Sequence, residues 1–254
     1  MNGAIAWRGV SELDGKTPIV VVFTGLDGGS LNPKTGPVVQ AHVLVDRMMP
    51  HLAAKAGADS AICGDCPRRR TPKRGSTCYV SLAFGYAKMG KKLVEETYPV
   101  LERPAEAIAG TFVRVGTYGD PAAVPISFWA DVVGHADGWT AYTHQWRRAF
   151  SLRPIAMASV ESLDEAKEAR ALGWRTFRIR PWRAGEGFAL TRHEASCPAS
   201  IEDGKLTTCD KCRRCSGLAS PGRDVAIIDH SVKALWGRDL GPAKRLPVVG
   251  QANA

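Results

Sequence analysis

The sequence predicts an α/β protein: a partial (β/α) barrel with mostly parallel strands, followed by a Cys-rich C-terminal segment. Three observations lead there. Short apolar, β-branched runs alternate with stretches of helical period between Thr111 and Arg180, the pattern of a parallel sheet with helices outside it. The bodies of these strands are apolar and their ends are polar, which is how an active-site rim is laid out in such folds. All seven cysteines fall into two compact groups, Cys63, Cys66 and Cys78, then Cys197, Cys209, Cys212 and Cys215.

The elements follow in order. Ile19 to Thr24 (IVVVFT) reads as a buried strand ending at Gly25, and the segment before Glu12 as mixed and polar. Leu26 to Gly36 is rich in turn formers. Val38 to Ala56 carries Val38, Ala41, Val45, Met48 and Leu52 at helical spacing, with Pro50 as a kink or split. Cys63 to Cys78 is loop, because Pro67, Pro72 and Gly75 disfavour regular structure, and Tyr79 to Tyr98 is helical. Thr111 to Gly116 is a strand, Val124 to His135 a helix, and Trp139 to His144 and Ile155 to Val160 are strands. Leu163 to Leu172 is a helix with Ser162 as N-cap, Glu165 as its capping-box partner and Gly173 as its stop. Trp174 to Arg180 is a strand, Glu194 to Leu218 is loop-like, and Asp224 to Ile228 is a late strand. Five or six strands before Cys197 are too few for a closed eight-stranded barrel. The expected division is residues 1–193 as the barrel domain and 194–254 as a metal-binding extension and tail.

Composition bounds the function. No run approaches the length of a membrane span, and no leading apolar segment precedes Glu12, so a soluble cytoplasmic protein is expected. In a reducing compartment, C-x-x-C pairs read as metal or redox ligands before disulfides. The net charge of +9 is concentrated partly in the run from Arg68 to Arg74, a candidate contact for nucleic acid.

Two metal sites are expected. Cys209, Cys212 and Cys215 repeat at the same short spacing, and Cys197 can return as a fourth thiolate. Four thiolates suit zinc or a [4Fe–4S] cluster, with His230 as an alternative fourth zinc ligand. Cys63, Cys66 and Cys78 leave one coordination position open for chemistry, or are completed by Asp65 or His51 as a structural zinc. The remaining candidates sit at strand ends. Gly116-Thr117-Tyr118-Gly119-Asp120-Pro121 joins a strand to a helix, with glycines for close backbone approach and Asp120 to meet an amine or hydroxyl. His144, Ser159, Glu161 and Arg178 end the following strands; His144 and Glu161, with Asp120, are the acid–base candidates.

The order of these features resembles the radical S-adenosylmethionine family. There, three cysteines before a helix hold a [4Fe–4S] cluster, as Cys63, Cys66 and Cys78 followed by Tyr79 would. The loop Gly116 to Pro121 is similar to that family's Gly-Gly-Glu-Pro loop, with Asp120 in place of the Glu. Thr143-His144 and Ser159-Val160-Glu161 resemble its later strand ends, and Cys197, Cys209, Cys212 and Cys215 resemble an added cluster. The cysteine spacing departs from the family's Cys-x3-Cys-x2-Cys. The resemblance covers residues 61–216, and the chain also resembles small phage proteins of this general build. It implies S-adenosylmethionine as cofactor, held by Gly116, Gly119, Asp120, Ser159 and Arg178, and radical abstraction of a substrate hydrogen atom. Two further readings stay open. One is a zinc-dependent transglycosylase-like barrel acting on nucleic acid with Asp120 as nucleophile. The other is a nucleic-acid binder with two zinc modules.

Overall fold

A computed structural model describes residues 2–30, 32–71, 76–181 and 185–229. His230 and the tail beyond it, and residues 72–75 of the basic run, lie outside them.

The architecture is mixed α/β, a nine-stranded, mostly parallel sheet with seven helices among the described residues. The strands are β1 (Gly3–Val10), β2 (Pro18–Thr24), β3 (Val39–Val45), β4 (Phe112–Tyr118), β5 (Gly138–Thr143), β6 (Met157–Val160), β7 (Thr176–Arg180), β8 (Glu194–Ser196) and β9 (Asp224–Ile228). Their spatial order is β1-β2-β3-β4-β5-β6-β7-β9-β8. β1 and β2, and β2 and β3, pair antiparallel; every later pairing is parallel. The sheet therefore continues past residue 193 into β8 and β9.

The helices are α1 (Pro50–Ala56), α2 (Ser60–Cys63), α3 (Gly85–Val94), α4 (Pro104–Ala107), α5 (Ile126–His135), α6 (Leu163–Ala171) and α7 (Cys209–Cys212). Two illustrate how local chemistry sets them. Pro50 opens α1 at its first turn, where its missing N–H costs nothing. At α6 the Ser162 hydroxyl accepts from Glu165 N at 3.1 Å, and the Glu165 carboxylate accepts from Glu161 N at 2.7 Å.

The main correction concerns residues 38–56, which are not one helix. Val39 to Val45 is a central strand, buried at six of its seven positions, and the helix begins only at Pro50. Gln40 and His42 alternate with Val39, Ala41 and Val43, the period of a strand, while Val38, Ala41, Val45 and Met48 also fall on a helical stripe. β1 lies in the mixed, polar segment before Glu12, for which the sequence predicts no element; it pairs with β2 through a bulge between Ile5 and Trp7.

The pleat sorts the parallel strands into two faces. Val113, Val115, Ala141, Ala158 and Val160 pack into the main core with Trp129, Val132, Ala166 and Ala169 of α5 and α6. The alternate residues Tyr142, Met157, Phe177, Ile179, Val225 and Ile227 form a second, smaller cluster, and it contains Cys197, Cys209 and Cys215. This second face carries the candidate site.

Candidate metal and substrate site

Against the second face lies a cavity of about 600 Å³, lined by all seven cysteines. It also receives Gly116, Gly119 and Asp120 from the end of β4, His144 after β5 and Ser159 from β6. Residues from distant parts of the chain thus meet in one place, as the parallel strand order requires.

The first thiol set is docked on the carboxyl ends of β4 and β5. Asp120 N donates to Ile62 O at 2.6 Å, and the Gln145 amide donates to Cys63 O at 3.0 Å. Gly64 makes this possible. Its φ of 58° lies in the left-handed region, and a Cβ there would stand 2.6 Å from the Gln145 side chain. Burial pushes the Cys63 and Cys78 thiols up, and Cys66 adds to both. Each of the three sulfurs is therefore an electrostatic neighbour of the other two.

The second set is anchored beside the same sheet. Cys215 O accepts from Ala141 N at 2.9 Å, and Cys197 N donates to Ala226 O at 2.9 Å. Arg213 holds α7 to the amino ends of β4 and β5 through an ion pair with Asp137 and a stack over Phe112. Burial pushes Cys197 up to about 12 and raises Cys209 and Cys215. Mutual repulsion contributes to these shifts, and it links every pair among Cys197, Cys209, Cys212 and Cys215.

These sets fit a thiophilic metal in donor chemistry, since seven free thiols gather into a triad and a tetrad. Buried thiols with raised pKa values stay protonated until a cation displaces the proton. The sulfurs are neighbours without being closed on common centres. Among the described residues no group of three or more His, Cys, Asp or Glu side chains is placed to hold a metal ion.

The polar strand ends form two units. Asp120 is buried and accepts three hydrogen bonds, from Ala122 N at 2.9 Å, Thr143 Oγ1 at 2.7 Å and His144 N at 2.8 Å. Burial raises its pKa against these bonds. Its carboxylate therefore ties the end of β4 to the end of β5. Gly119 serves the same junction: with φ at 79°, a Cβ would meet Val43 Cβ and O of β3 at 2.7 Å. Its close approach is to the neighbouring strand. Gly116, at φ 67°, shapes the same turn.

The second unit is His144, Glu161, Arg68 and Asp229. His144 Nε2 lies 3.3 Å from Glu161 Oε1. Arg68 donates to Glu161 at 2.6 Å and to Asp229 at 3.1 Å. Burial alone would lower His144, but its hydrogen bonds to Cys66 and Glu161, with Asp120 nearby, push it up to about 10. This network joins the first cysteine loop to the ends of β5, β6 and β9. It also uses a residue of the basic run internally, and Arg69 likewise pairs with Asp59 at 2.8 Å.

Arg178 lies on the other face. Phe177 and Ile179 face the cavity, so the pleat turns Arg178 away from it. Its guanidinium pairs with Glu194 at 2.6 Å, both side chains being at most 1% exposed. The expectation that it contacts a cofactor is corrected: one residue of register sends it to the sheet's opposite side. His51 and Tyr79 line the cavity, whereas Asp65 is exposed and 3.6 Å from Arg148.

Arg114 and Tyr142 were missed as site residues. Arg114 donates to Tyr79 Oη, next to Cys78, and its charge opposes the burial that raises the Cys209 thiol. A lone arginine inside the apolar run TFVRVG was the available signal.

Comparison of the chain with protein-family models, curated proteins and solved structures finds no match. Among the described residues no helix is long and apolar enough to cross a membrane.

Proposed function

We propose that the chain is an iron–sulfur enzyme of radical S-adenosylmethionine type, built on a partial (β/α) barrel whose inner face is the cavity wall. One observation carries this: every cysteine of the chain lines the same cavity that receives the polar ends of β4, β5 and β6. Cys63, Cys66 and Cys78 would hold a [4Fe–4S] cluster with an open iron. Cys197, Cys209, Cys212 and Cys215 would hold a second, closed one. With S-adenosylmethionine bound, the first cluster supplies one-electron chemistry.

The chain's own residues do the rest. Asp120 fixes the backbone of His144, whose ring is hydrogen-bonded to Glu161. Gly116 and Ser159 offer small, close surfaces for the cofactor. Tyr142, Phe177, Ile179 and Ile227 give the chamber an apolar wall.

A second reading keeps the fold and places zinc at the tetrad, favoured by four thiols that line one cavity and supply four sulfur donors without His230. The transglycosylase-like reading loses ground, because Asp120 is spent on three internal hydrogen bonds rather than presented as a nucleophile.

Anaerobic purification followed by iron, zinc and acid-labile sulfide analysis tests the proposal. Two clusters require about eight iron and about eight sulfide per chain. A colourless protein with zinc alone overturns the iron–sulfur assignment.

A further inference from the structure

Arg114 reaches into the cavity from the middle of β4. Other arginines drawn into the fold are held by carboxylates or carbonyls: Arg178 by Glu194, Arg180 by Asp203, and Arg175 by the carbonyls of Arg214, Gly217, Ser220 and Arg223. Among the described residues no carboxylate makes an ion pair with Arg114. Its guanidinium donates to Tyr79 Oη, and the other ionisable groups that act on it are Tyr142, Cys209 and Tyr86. A cation held in so apolar a chamber without a counter-charge is costly.

A second observation stands beside it. Thr140 is the cross-strand partner of Arg114, so the two side chains share the cavity face. The residue is 2% exposed, and its hydroxyl has no hydrogen-bond partner among the described residues. Buried hydroxyls are normally paired. Next to this polar pair the wall is aromatic and aliphatic, with the rings of Tyr142 and Phe177 4.4 Å apart. A cavity of about 600 Å³ suits a small organic molecule.

We propose that the cavity takes a substrate with an apolar body and a terminal oxyanion, carboxylate or phosphate, that pairs with the Arg114 guanidinium and the Thr140 hydroxyl. The inference rests on the cavity being a substrate chamber, as proposed above, and holds whichever metal the thiols bind. The body lies against Tyr142 and Phe177, and the anionic end points toward β4. The competing role for Arg114 is to offset thiolate charge at Cys209.

Titration calorimetry on the full, anaerobically purified chain separates the two, with metal content measured on each sample. The probes are benzoate, phenyl phosphate and the neutral benzamide. One of the anions is expected to bind at least about tenfold tighter than benzamide, the step of one bidentate, charge-assisted contact. Which anion wins identifies the head group. Arg114→Gln is expected to remove the preference with metal content unchanged, and Arg114→Lys to retain part of it. Equal binding of all three probes, or no binding, overturns the proposal. So does a wild type indifferent to the anions together with an Arg114→Gln variant that sheds metal, which makes Arg114 a counter-charge only. Absence of iron from the wild type would refute the cluster assignment without altering the anion result.

Discussion

Replacing Glu194 with alanine tests whether the pair behind β7 is structural. The Arg178–Glu194 contact is 2.6 Å long and sealed from water on both sides. Arg178 also donates to the carbonyls of Gly187 and Ala189, and Glu194 accepts from Thr191 N at 2.9 Å. Removing the carboxylate leaves a buried guanidinium uncompensated, at a cost of about 3–5 kcal/mol. In a chain of this size each kcal/mol lowers Tm by about 2–4 °C. Glu194→Ala should therefore lower Tm by about 10 °C or somewhat more. The double variant Arg178→Met, Glu194→Leu should recover most of that, since an apolar pair of similar volume removes the buried charge. Recovery stays incomplete because the two carbonyls lose their donor.

The pH dependence adds an independent check. Burial works to raise the Glu194 pKa, but Arg178 and the Thr191 N–H hold it below the ordinary glutamate value. A carboxylate depressed in the folded state contributes stability above its unfolded pKa of about 4.3 and loses it as pH falls through the folded value. Wild type and Glu194→Ala should differ most at neutral pH and converge in acid, as followed by circular dichroism melts. A Tm within about 2 °C of wild type at pH 7, together with weakened S-adenosylmethionine binding, would refute the reasoning and return Arg178 to the cofactor site.

Other outcomes follow from the cavity. Gly64→Ala is expected to cost about 1–3 kcal/mol from its positive-φ backbone alone, and to push the Cys63–Cys66 turn off Gln145. Elemental analysis should show metal lost from the triad and kept at the tetrad. Asp120→Asn keeps shape but offers one acceptor oxygen where three donors converge. It should cost about 1–3 kcal/mol in urea unfolding and disturb the His144 ring signals in NMR. Serine at Cys63, Cys66 and Cys78 together should abolish S-adenosylmethionine cleavage while leaving metal at the tetrad; surviving cleavage would remove the triad from the mechanism.

The sequence was most legible where local rules decide structure. Ser162 announced α6 because its side chain caps the helix within one turn, while Glu165 reaches back one residue further, to Glu161 N. β7 and β9 were legible as short β-branched runs between turn residues. Residues 39–45 were not, because the alternation of Gln40 and His42 is short and the apolar residues around it also fit a helical stripe. β8 is three residues long and exists only through its pairing with β9. The two cysteine groups were plain in one dimension. Their meeting in a single cavity depends on strand order, which spacing does not encode. The roles of single residues were the least legible: Asp120 and Arg178 are polar residues at or near strand ends, yet one lines the cavity and the other faces away.

That contrast bears on how the site works. Parity within a strand, not proximity to its end, decides which polar residues reach the chamber. In β7 the odd residues Phe177 and Ile179 face it, and in β9 the odd series runs through Ile227 to Asp229. Asp229 in turn receives Arg68, which holds Glu161, which meets His144 beside Cys66. The same parity at β4 and β5 puts Arg114 opposite Thr140, with Tyr142 one pleat further along. An ionic network at one wall and an arginine without an acid partner at another therefore have one origin, the alternation of side chains along parallel strands. A polar residue shifted by one position would leave the chamber altogether, so the arrangement of charge around the thiols is a property of register before it is a property of composition.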